Sequence, residues 1–186
     1  MKKIILASSS PRRKELLATI ISDFDIVPSN IEETYPSSMD LFEIPLYISN
    51  LKALDIYNKY PSSIVIGCDT AIVFKDKLIG KPKDKDDAKQ TLLEFSNNYH
   101  YVVSGVTIYS STQKYEINSI NKVYFKNISI NDIEEYLSND EYKDKAGSYA
   151  IQGLASKFID KIEGEFEAIV GLPIKELLKI LKSLIK

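Results

Sequence analysis

Short apolar segments alternate with helix-like segments along the whole chain. The first apolar segment covers residues 4–7, and three serines separate it from Pro11, a residue type favoured at the first position of a helix. The longest helix-like pattern covers residues 45–60, and Pro61 ends it. Residues 63–68 form a nearly continuous apolar run, which is typical of a strand covered on both faces. This alternation predicts an α/β fold that begins with a strand, a tight turn and a helix.

The rest of the pattern completes a mixed sheet. It predicts a strand over 24–27, a loop over 28–40 and a hairpin around Lys75-Asp76-Lys77. A helix from Asp84 to about residue 95 follows, and then two long paired strands over 99–109 and 114–125. The last predicted elements are a short helix opened by Asn131 and Glu134, a strand over 157–162 and a helix after Pro173. The long pair should be antiparallel. We therefore predict an α/β fold with a mixed twisted sheet flanked by helices, in a single domain spanning residues 1–186.

Charge and hydropathy exclude several classes of protein. The chain has 24 basic and 26 acidic residues, so it lacks the concentrated basic face that attracts nucleic acid or anionic lipid. Its longest apolar runs are far shorter than the ~20 residues that span a bilayer. The apolar stretch at the start stops at Ser8, too early for a signal peptide. We expect a cytoplasmic protein that binds neither nucleic acid nor membranes.

The chain contains one cysteine, Cys68, and one histidine, His100. One ligand of each type cannot build a structural zinc site, and Cys68 cannot form an intrachain disulfide. A hydrolase of the Ser-His-Asp or Cys-His type would depend entirely on His100. We expect Cys68 to be a buried strand thiol and His100 to be structural.

Three segments carry candidate chemistry. The serines and the pair Arg12 and Arg13 combine hydroxyl groups, guanidinium groups and a helix start, which together can bind phosphate; the structural alternative is a helix cap with solvated arginines. Asp69-Thr70 follows the buried run, where a carboxylate can hold Mg²⁺ or activate water, unless it is only a turn. Lys81 follows Gly80 and can meet a phosphate as a point charge, or lie in a solvated turn.

Taken together, six segments resemble the Maf family, in the family's order and spacing and over essentially the whole chain. They are LASSSPRRKELL at 6–17, GCDT at 67–70, GKPK at 80–83, SGV at 104–106, KAGSYAIQG at 145–153 and VGLP at 170–173. The resemblance implies a fold like that of the inosine triphosphate pyrophosphatases (Maf/Ham1-like). It also implies hydrolysis of nucleoside triphosphates, including non-standard ones, to the monophosphate and pyrophosphate with a divalent cation, Mg²⁺ or Mn²⁺. A homodimer is a further implication.

The resemblance also assigns roles by position. Asp69 corresponds to the general base, and Glu33 to the family's second acidic position, so both are catalytic and metal-binding candidates. Ser8, Arg12, Arg13, Lys52 and Lys81 are expected to bind the phosphates. Arg12, Thr70 and Gln152 stand where the branch that prefers dTTP and UTP has its specificity residues.

The chain departs from the family pattern at three places. Asn30 stands where Asp is usual, Ser104 replaces a usual Thr, and Glu167-Ala168 replaces a Ser-Asn pair. The last change adds a charge near a site loop, which bears on substrate range more than on reaction type. The resemblance also keeps open an alternative function, a nucleotide-binding regulator of septum formation and cell division that does not turn its ligand over. Two carboxylates beside phosphates argue against it, because they repel the ligand unless a metal intervenes.

Overall fold

The computed structural model describes residues 2–185 and contains seven strands and six α-helices. The strands are β1 (Ile4–Leu6), β2 (Asp25–Ile26), β3 (Ile64–Phe74), β4 (Lys77–Ile79), β5 (Tyr99–Tyr109), β6 (Lys114–Phe125) and β7 (Ile159–Glu163). The helices are α1 (Pro11–Ala18), α2 (Ile44–Lys59), α3 (Lys85–Phe95), α4 (Ile130–Leu137), α5 (Phe166–Val170) and α6 (Ile174–Leu184). The order of strands in the sheet is β2-β1-β3-β5-β6-β7, with β4 paired to β3.

The sheet is mixed, as predicted. Strand β1 runs parallel to both β2 and β3, whereas β4 runs antiparallel to β3, and β7 runs antiparallel to β6. Only four residues separate β5 from its neighbour β6, a connection that suits an antiparallel pair and is far too short for a parallel crossover. None of the helices formed by residues 2–185 is both long enough and apolar enough to cross a membrane.

The chain divides into two compact units. The first comprises the described residues up to Thr70, Val103–Ser119 and the described residues from Glu167 onward; the second comprises Ala71–Val102 and Ile120–Phe166. In the first unit, alternate residues of β1 enter different clusters. Leu6 packs with Leu17 of α1 and Leu177 of α6, whereas Ile5 packs with Ala53 and Ile56 of α2. Burial on both faces explains why β1 and residues 64–66 of β3 are continuously apolar.

The second unit has an aromatic core that includes the single histidine. The ring of Phe95 stacks on His100 with a centroid distance of 4.1 Å, and His100 Nε2 lies 2.7 Å from the Tyr149 hydroxyl. Burial lowers the pKa of His100 to about 3, so the imidazole is neutral near pH 7. The expectation that His100 is structural is confirmed, and so is the expectation of a buried thiol at Cys68, whose pKa burial raises to about 11.

The predicted helix starts at α1 and α3 and the predicted hairpin, each indicated by a few neighbouring residues, are confirmed. Ser10 caps α1 with Pro11 at its start, Asp84 caps α3, and the Lys75-Asp76 turn, with both φ angles positive, joins β3 to β4. The predicted Asn131 cap is wrong. Ser129 caps α4 instead, by accepting from the Asp132 amide, because its hydroxyl lies one residue before the first helical position.

Other elements also differ from the prediction. The last strand begins at Ile159 rather than at residue 157, because residues 154–158 form a 3₁₀ helix. The short helix α5 was not predicted. The placement of Asp69-Thr70 beyond the end of a strand is wrong as well, since β3 continues through both residues to Phe74.

The extent of the pairing between β1 and β3 explains why polar residues lie within β3. Strand β1 pairs with β3 only as far as the Leu6–Ile66 pair, and the chain then turns away into α1. Beyond Ile66, one edge of β3 is therefore no longer covered by β1. Asp69 and Thr70 lie in that stretch, where the strand is only half-buried, so polar residues fit within a long strand.

Candidate functional site

The turn between β1 and α1 presents hydroxyl and amide groups at the start of a helix. The Ser10 hydroxyl accepts from the Arg13 amide at 3.5 Å, and the Ser8 hydroxyl accepts from the Ser10 amide at 3.3 Å. Ser8 is largely buried, whereas Arg12 is exposed and has no ion-pair partner among residues 2–185. A helix start with an unpaired guanidinium beside it is suited to an anion.

Arg13 differs from Arg12 because its guanidinium group binds the protein itself. Nε donates to the Gly171 carbonyl at 3.1 Å, and Nη2 donates to the Thr70 hydroxyl at 3.1 Å. Nη1 donates to the Ser8 hydroxyl at 3.2 Å and to the Cys68 carbonyl at 3.0 Å. Four of the five N–H groups of this side chain are thus occupied. Phosphate binding by Arg13 stays a prediction, and one N–H group is left for it.

The hydroxyl groups beyond Arg13 form a chain with a fixed direction. The Ser104 hydroxyl lies 2.7 Å from the Ala168 carbonyl, which can only accept, so Ser104 donates there. Thr70 must then donate to Ser104 across their 2.9 Å separation, while it accepts from Arg13. The departures at Ser104 and Ala168 preserve this chain, because it needs only a hydroxyl at one position and a backbone carbonyl at the other.

Glu33, Lys52 and Asp69 form a carboxylate–lysine triad. Lys52 Nζ lies 2.7 Å from Glu33 Oε1 and 2.8 Å from Asp69 Oδ1. The side chains of Lys52 and Asp69 are 12% and 16% exposed, whereas that of Glu33 is 56% exposed. Burial raises the pKa of Asp69, and the charge and hydrogen bond of Lys52 oppose that rise. One buried ammonium group therefore neutralises one of two carboxylates.

Two glycines allow the triad to form. A Cβ atom on Gly67 would lie 2.7 Å from the Ala53 Cβ atom, so α2 packs directly against the backbone of β3 at this point. Gly105 of β5 is approached just as closely by the backbone of Pro45 and Leu46 at the start of α2. Close packing at Gly67 places α2, which carries Lys52, against the strand that carries Asp69.

The second unit holds the other predicted site residues, Lys81 and Gln152, on two loops that contact each other. The Gly147 amide donates to the Gly80 carbonyl at 3.0 Å, which joins the loop after β4 to the loop of residues 143–153. Lys81 Nζ lies 3.7 Å from Asp144, but both side chains are largely exposed, so this pair contributes little stability. Gln152 is exposed.

The loop of residues 143–153 is held at both ends. Near one end, Lys145 Nζ donates to the Glu141 carbonyl at 2.6 Å, and at the centre of the loop the Tyr136 hydroxyl donates to the Ser148 carbonyl at 3.1 Å. Near the other, a Glu141 carboxylate oxygen accepts from the Leu154 amide at 2.9 Å. Gly147 and Ser148 both have positive φ angles, a strained conformation for Ser148 that these contacts maintain. Gln152 thus extends from a constrained backbone.

A sequence model described as Maf-like protein matches residues 3–184. The chain belongs to the Maf family. It is 41% identical to a dTTP/UTP pyrophosphatase of Pyrococcus furiosus over 184 residues, with 98% of this chain and 95% of that protein covered. It is 42% identical to a dTTP/UTP pyrophosphatase of Vibrio parahaemolyticus over 180 residues, with 95% of each protein covered.

Solved structures confirm the fold that the Maf resemblance implies. A HAM1 protein from Coxiella burnetii matches with a TM-score of 0.57 over 98% of this chain and 100% of that chain, at 12% identity. The Ham1 protein of Staphylococcus aureus matches with a TM-score of 0.53 over 98% and 99%, at 13% identity. At such low identity these matches show a shared fold alone.

The positions of the Maf segments explain their composition. Gly67, Gly105 and Gly171 take part in close backbone approaches or in the hydrogen bonds of Arg13. Sequence reasoning did not find the roles of these glycines or the bond between Ser104 and Ala168. Each role depends on contacts between residues that are distant along the chain, and the only signal was the presence of glycine within a matching segment.

Proposed function

We propose that this chain hydrolyses nucleoside triphosphates, with dTTP and UTP preferred, to the nucleoside monophosphate and pyrophosphate. The observation that carries the proposal is the carboxylate–lysine triad beside the β1–α1 turn, in a Maf chain about 40% identical to proteins named dTTP/UTP pyrophosphatase. In the first unit, Arg13 links the β1–α1 turn to the triad, because it donates both to the Ser8 hydroxyl and to the Cys68 carbonyl, which is next to Asp69.

The chain's residues suit a triphosphate substrate. Such a ligand carries about four negative charges, and cleavage between the α and β phosphorus atoms requires charge neutralisation and an aligned water molecule. Arg12 and the start of α1 supply positive potential in the first unit, and Lys81 supplies it in the second. Asp69 is the proposed base, because burial raises its pKa and thereby strengthens it as a proton acceptor. No nucleophilic residue is required, which fits the neutral, buried His100.

The donor set fits a divalent cation that binds together with the substrate. Among residues 2–185, no three Cys, His, Asp or Glu side chains are grouped so as to hold a metal ion. Mg²⁺ is commonly bound by one or two carboxylates together with phosphate oxygens and water, and Glu33 and Asp69 would supply the carboxylates. Bound there, the cation would stabilise negative charge that develops on the phosphate oxygens.

The bond that is broken identifies the reaction. We expect the protein in ¹⁸O-enriched water to release pyrophosphate from dTTP and UTP, with the label in the nucleoside monophosphate, because water attacks the α phosphorus atom when pyrophosphate leaves. Mass spectrometry of both products measures this. Label in orthophosphate would contradict the proposed cleavage, and tight nucleotide binding without product would favour the regulatory alternative.

Gln152 is proposed to select the base. Its amide offers both a donor and an acceptor, which match adjacent positions on the O2/N3–H/O4 edge of thymine or uracil. We expect Gln152→Ala to reduce the preference for dTTP and UTP over ATP and GTP by roughly 10-fold or more, because a site that hydrogen-bonds a substrate edge strongly rejects ligands that lack it. The measurement is kcat/KM for dTTP, UTP, CTP, GTP and ATP with the wild-type protein and with Gln152→Ala.

The matched control for this substitution is Gln90→Ala, on the exposed surface of α3 in the same unit. It should leave both the rates and their ranking unchanged. If Gln152→Ala lowers every kcat/KM value equally, Gln152 supports the loop and the base is recognised elsewhere.

A further inference from the structure

Lys52 holds the two carboxylates that a divalent cation would need. Its ammonium group lies within 2.8 Å of an oxygen atom of both Glu33 and Asp69, and it is the only cation paired with either carboxylate among residues 2–185. The side chains of Lys52 and Asp69 are only 12% and 16% exposed, so solvent screens this pair less than it screens a surface pair. Without a nucleotide, one oxygen of each carboxylate, Glu33 Oε1 and Asp69 Oδ1, is therefore already paired with a cation.

A divalent cation and the ammonium group compete for the same two carboxylates. With Lys52 in place the triad has a net charge of −1, and an incoming cation meets the repulsion of Nζ at short range. The described part of the chain offers no third carboxylate, histidine or cysteine in the group that could compensate for this repulsion. We therefore expect the nucleotide-free protein to bind divalent cations weakly.

A triphosphate changes this balance in two ways. Its oxygens supply the missing metal ligands, and its charge offers the ammonium group another partner. The lysine side chain has a flexible four-carbon stem and three N–H donors, so Nζ can turn from a carboxylate to a phosphate while its backbone on α2 stays in place. The carboxylate oxygens are then free for the metal.

We propose that Lys52 is an internal counter-ion that excludes divalent cations from Glu33 and Asp69 until a nucleotide binds. Metal and nucleotide are then bound with positive coupling, and each raises the affinity for the other. The inference rests on the proposed function for the identity of the nucleotide, but the competition between Lys52 and the cation exists in the nucleotide-free protein and is measured there.

The test is a titration of the nucleotide-free protein with Mn²⁺ at pH 8, with free Mn²⁺ measured by electron paramagnetic resonance. Lys52→Met removes the ammonium group and keeps a side chain of similar length. We expect it to raise the affinity for Mn²⁺ roughly 10-fold or more, because the repulsion is lost and both carboxylates become available. Adding Asp69→Asn to this variant should abolish the gain.

Lys59→Met is the matched control. Lys59 lies on the same helix and pairs at 2.8 Å with Asp55, but this pair is not part of the triad. Its removal should leave Mn²⁺ affinity at the wild-type value. Lys52→Gln is a second variant, which keeps N–H donors but no charge, and it should behave like Lys52→Met. Thermal denaturation identifies any variant that does not fold.

Nucleotide coupling provides an independent readout. A dTTP analogue with a methylene group in place of the α,β-bridging oxygen should raise the Mn²⁺ affinity of the wild-type protein much more than that of Lys52→Met. Equal Mn²⁺ affinity of the wild-type and both Lys52 variants would overturn the inference. Failure of the wild-type protein to release pyrophosphate would instead overturn the proposed function, so the two failures are distinguishable.

Discussion

Asp69→Asn should lower turnover of dTTP by roughly 10²–10⁴-fold, the range typical of a lost general base, while the protein stays folded. Asparagine has nearly the same shape as aspartate, and its side-chain oxygen can still accept from Lys52 Nζ. What disappears is the negative charge, and with it both the proposed proton acceptor and a proposed metal ligand. Steady-state kinetics, together with the melting temperature, separates this chemical effect from loss of structure.

Asp55→Asn is the matched control for this substitution. Asp55 is also an ion-paired aspartate of the first unit; it contacts Lys59 at 2.8 Å and accepts from Ser29 at 2.7 Å. Those partners lower the pKa of Asp55, whereas burial raises that of Asp69. Asp55→Asn should leave turnover unchanged. If Asp69→Asn turned over dTTP at the control rate, Asp69 would have a structural role alone.

The parts of the fold that were predictable are those that a few neighbouring residues determine. Pro11 after three serines predicted the start of α1, and the charged turn at Lys75-Asp76 predicted a hairpin. The error at Asp69 has a different origin. Sequence polarity marks where burial decreases, but β3 continues past that point because backbone pairing with other strands does not depend on side-chain polarity.

The sequence nominates residues for the candidate site, but it does not report the interactions that the structure shows among them. The Maf segments named Arg12 and Arg13 together, yet the structure leaves one exposed and commits the other to four hydrogen bonds within the protein. The resemblance implies that Lys52 binds phosphate, whereas in the structure Lys52 pairs with Glu33 and Asp69, and the close packing of α2 on β3 at Gly67 brings it there. Such contacts join residues far apart in sequence, so no local pattern reports them.

Removal of divalent cations should abolish hydrolysis and leave the fold intact. The proposed ligands, Glu33 and Asp69 with phosphate oxygens, are all hard oxygen donors, so Mg²⁺ or Mn²⁺ should restore activity. The described residues present no preformed group of three ligands, and Lys52 already neutralises part of the carboxylate charge. We therefore propose that the cation contributes to the reaction and not to folding of the free protein.

Two measurements made on the same samples test this expectation. EDTA should reduce pyrophosphate release to the detection limit, whereas EDTA previously saturated with Mg²⁺ should not, which controls for effects of the chelator itself. The melting temperature of the nucleotide-free protein should be the same in both samples, because stabilisation by a ligand requires that the ligand be bound to the folded state. Undiminished hydrolysis after exhaustive chelation would contradict a role for the cation in the reaction, and a large fall in melting temperature would show that the nucleotide-free protein already holds a structural metal.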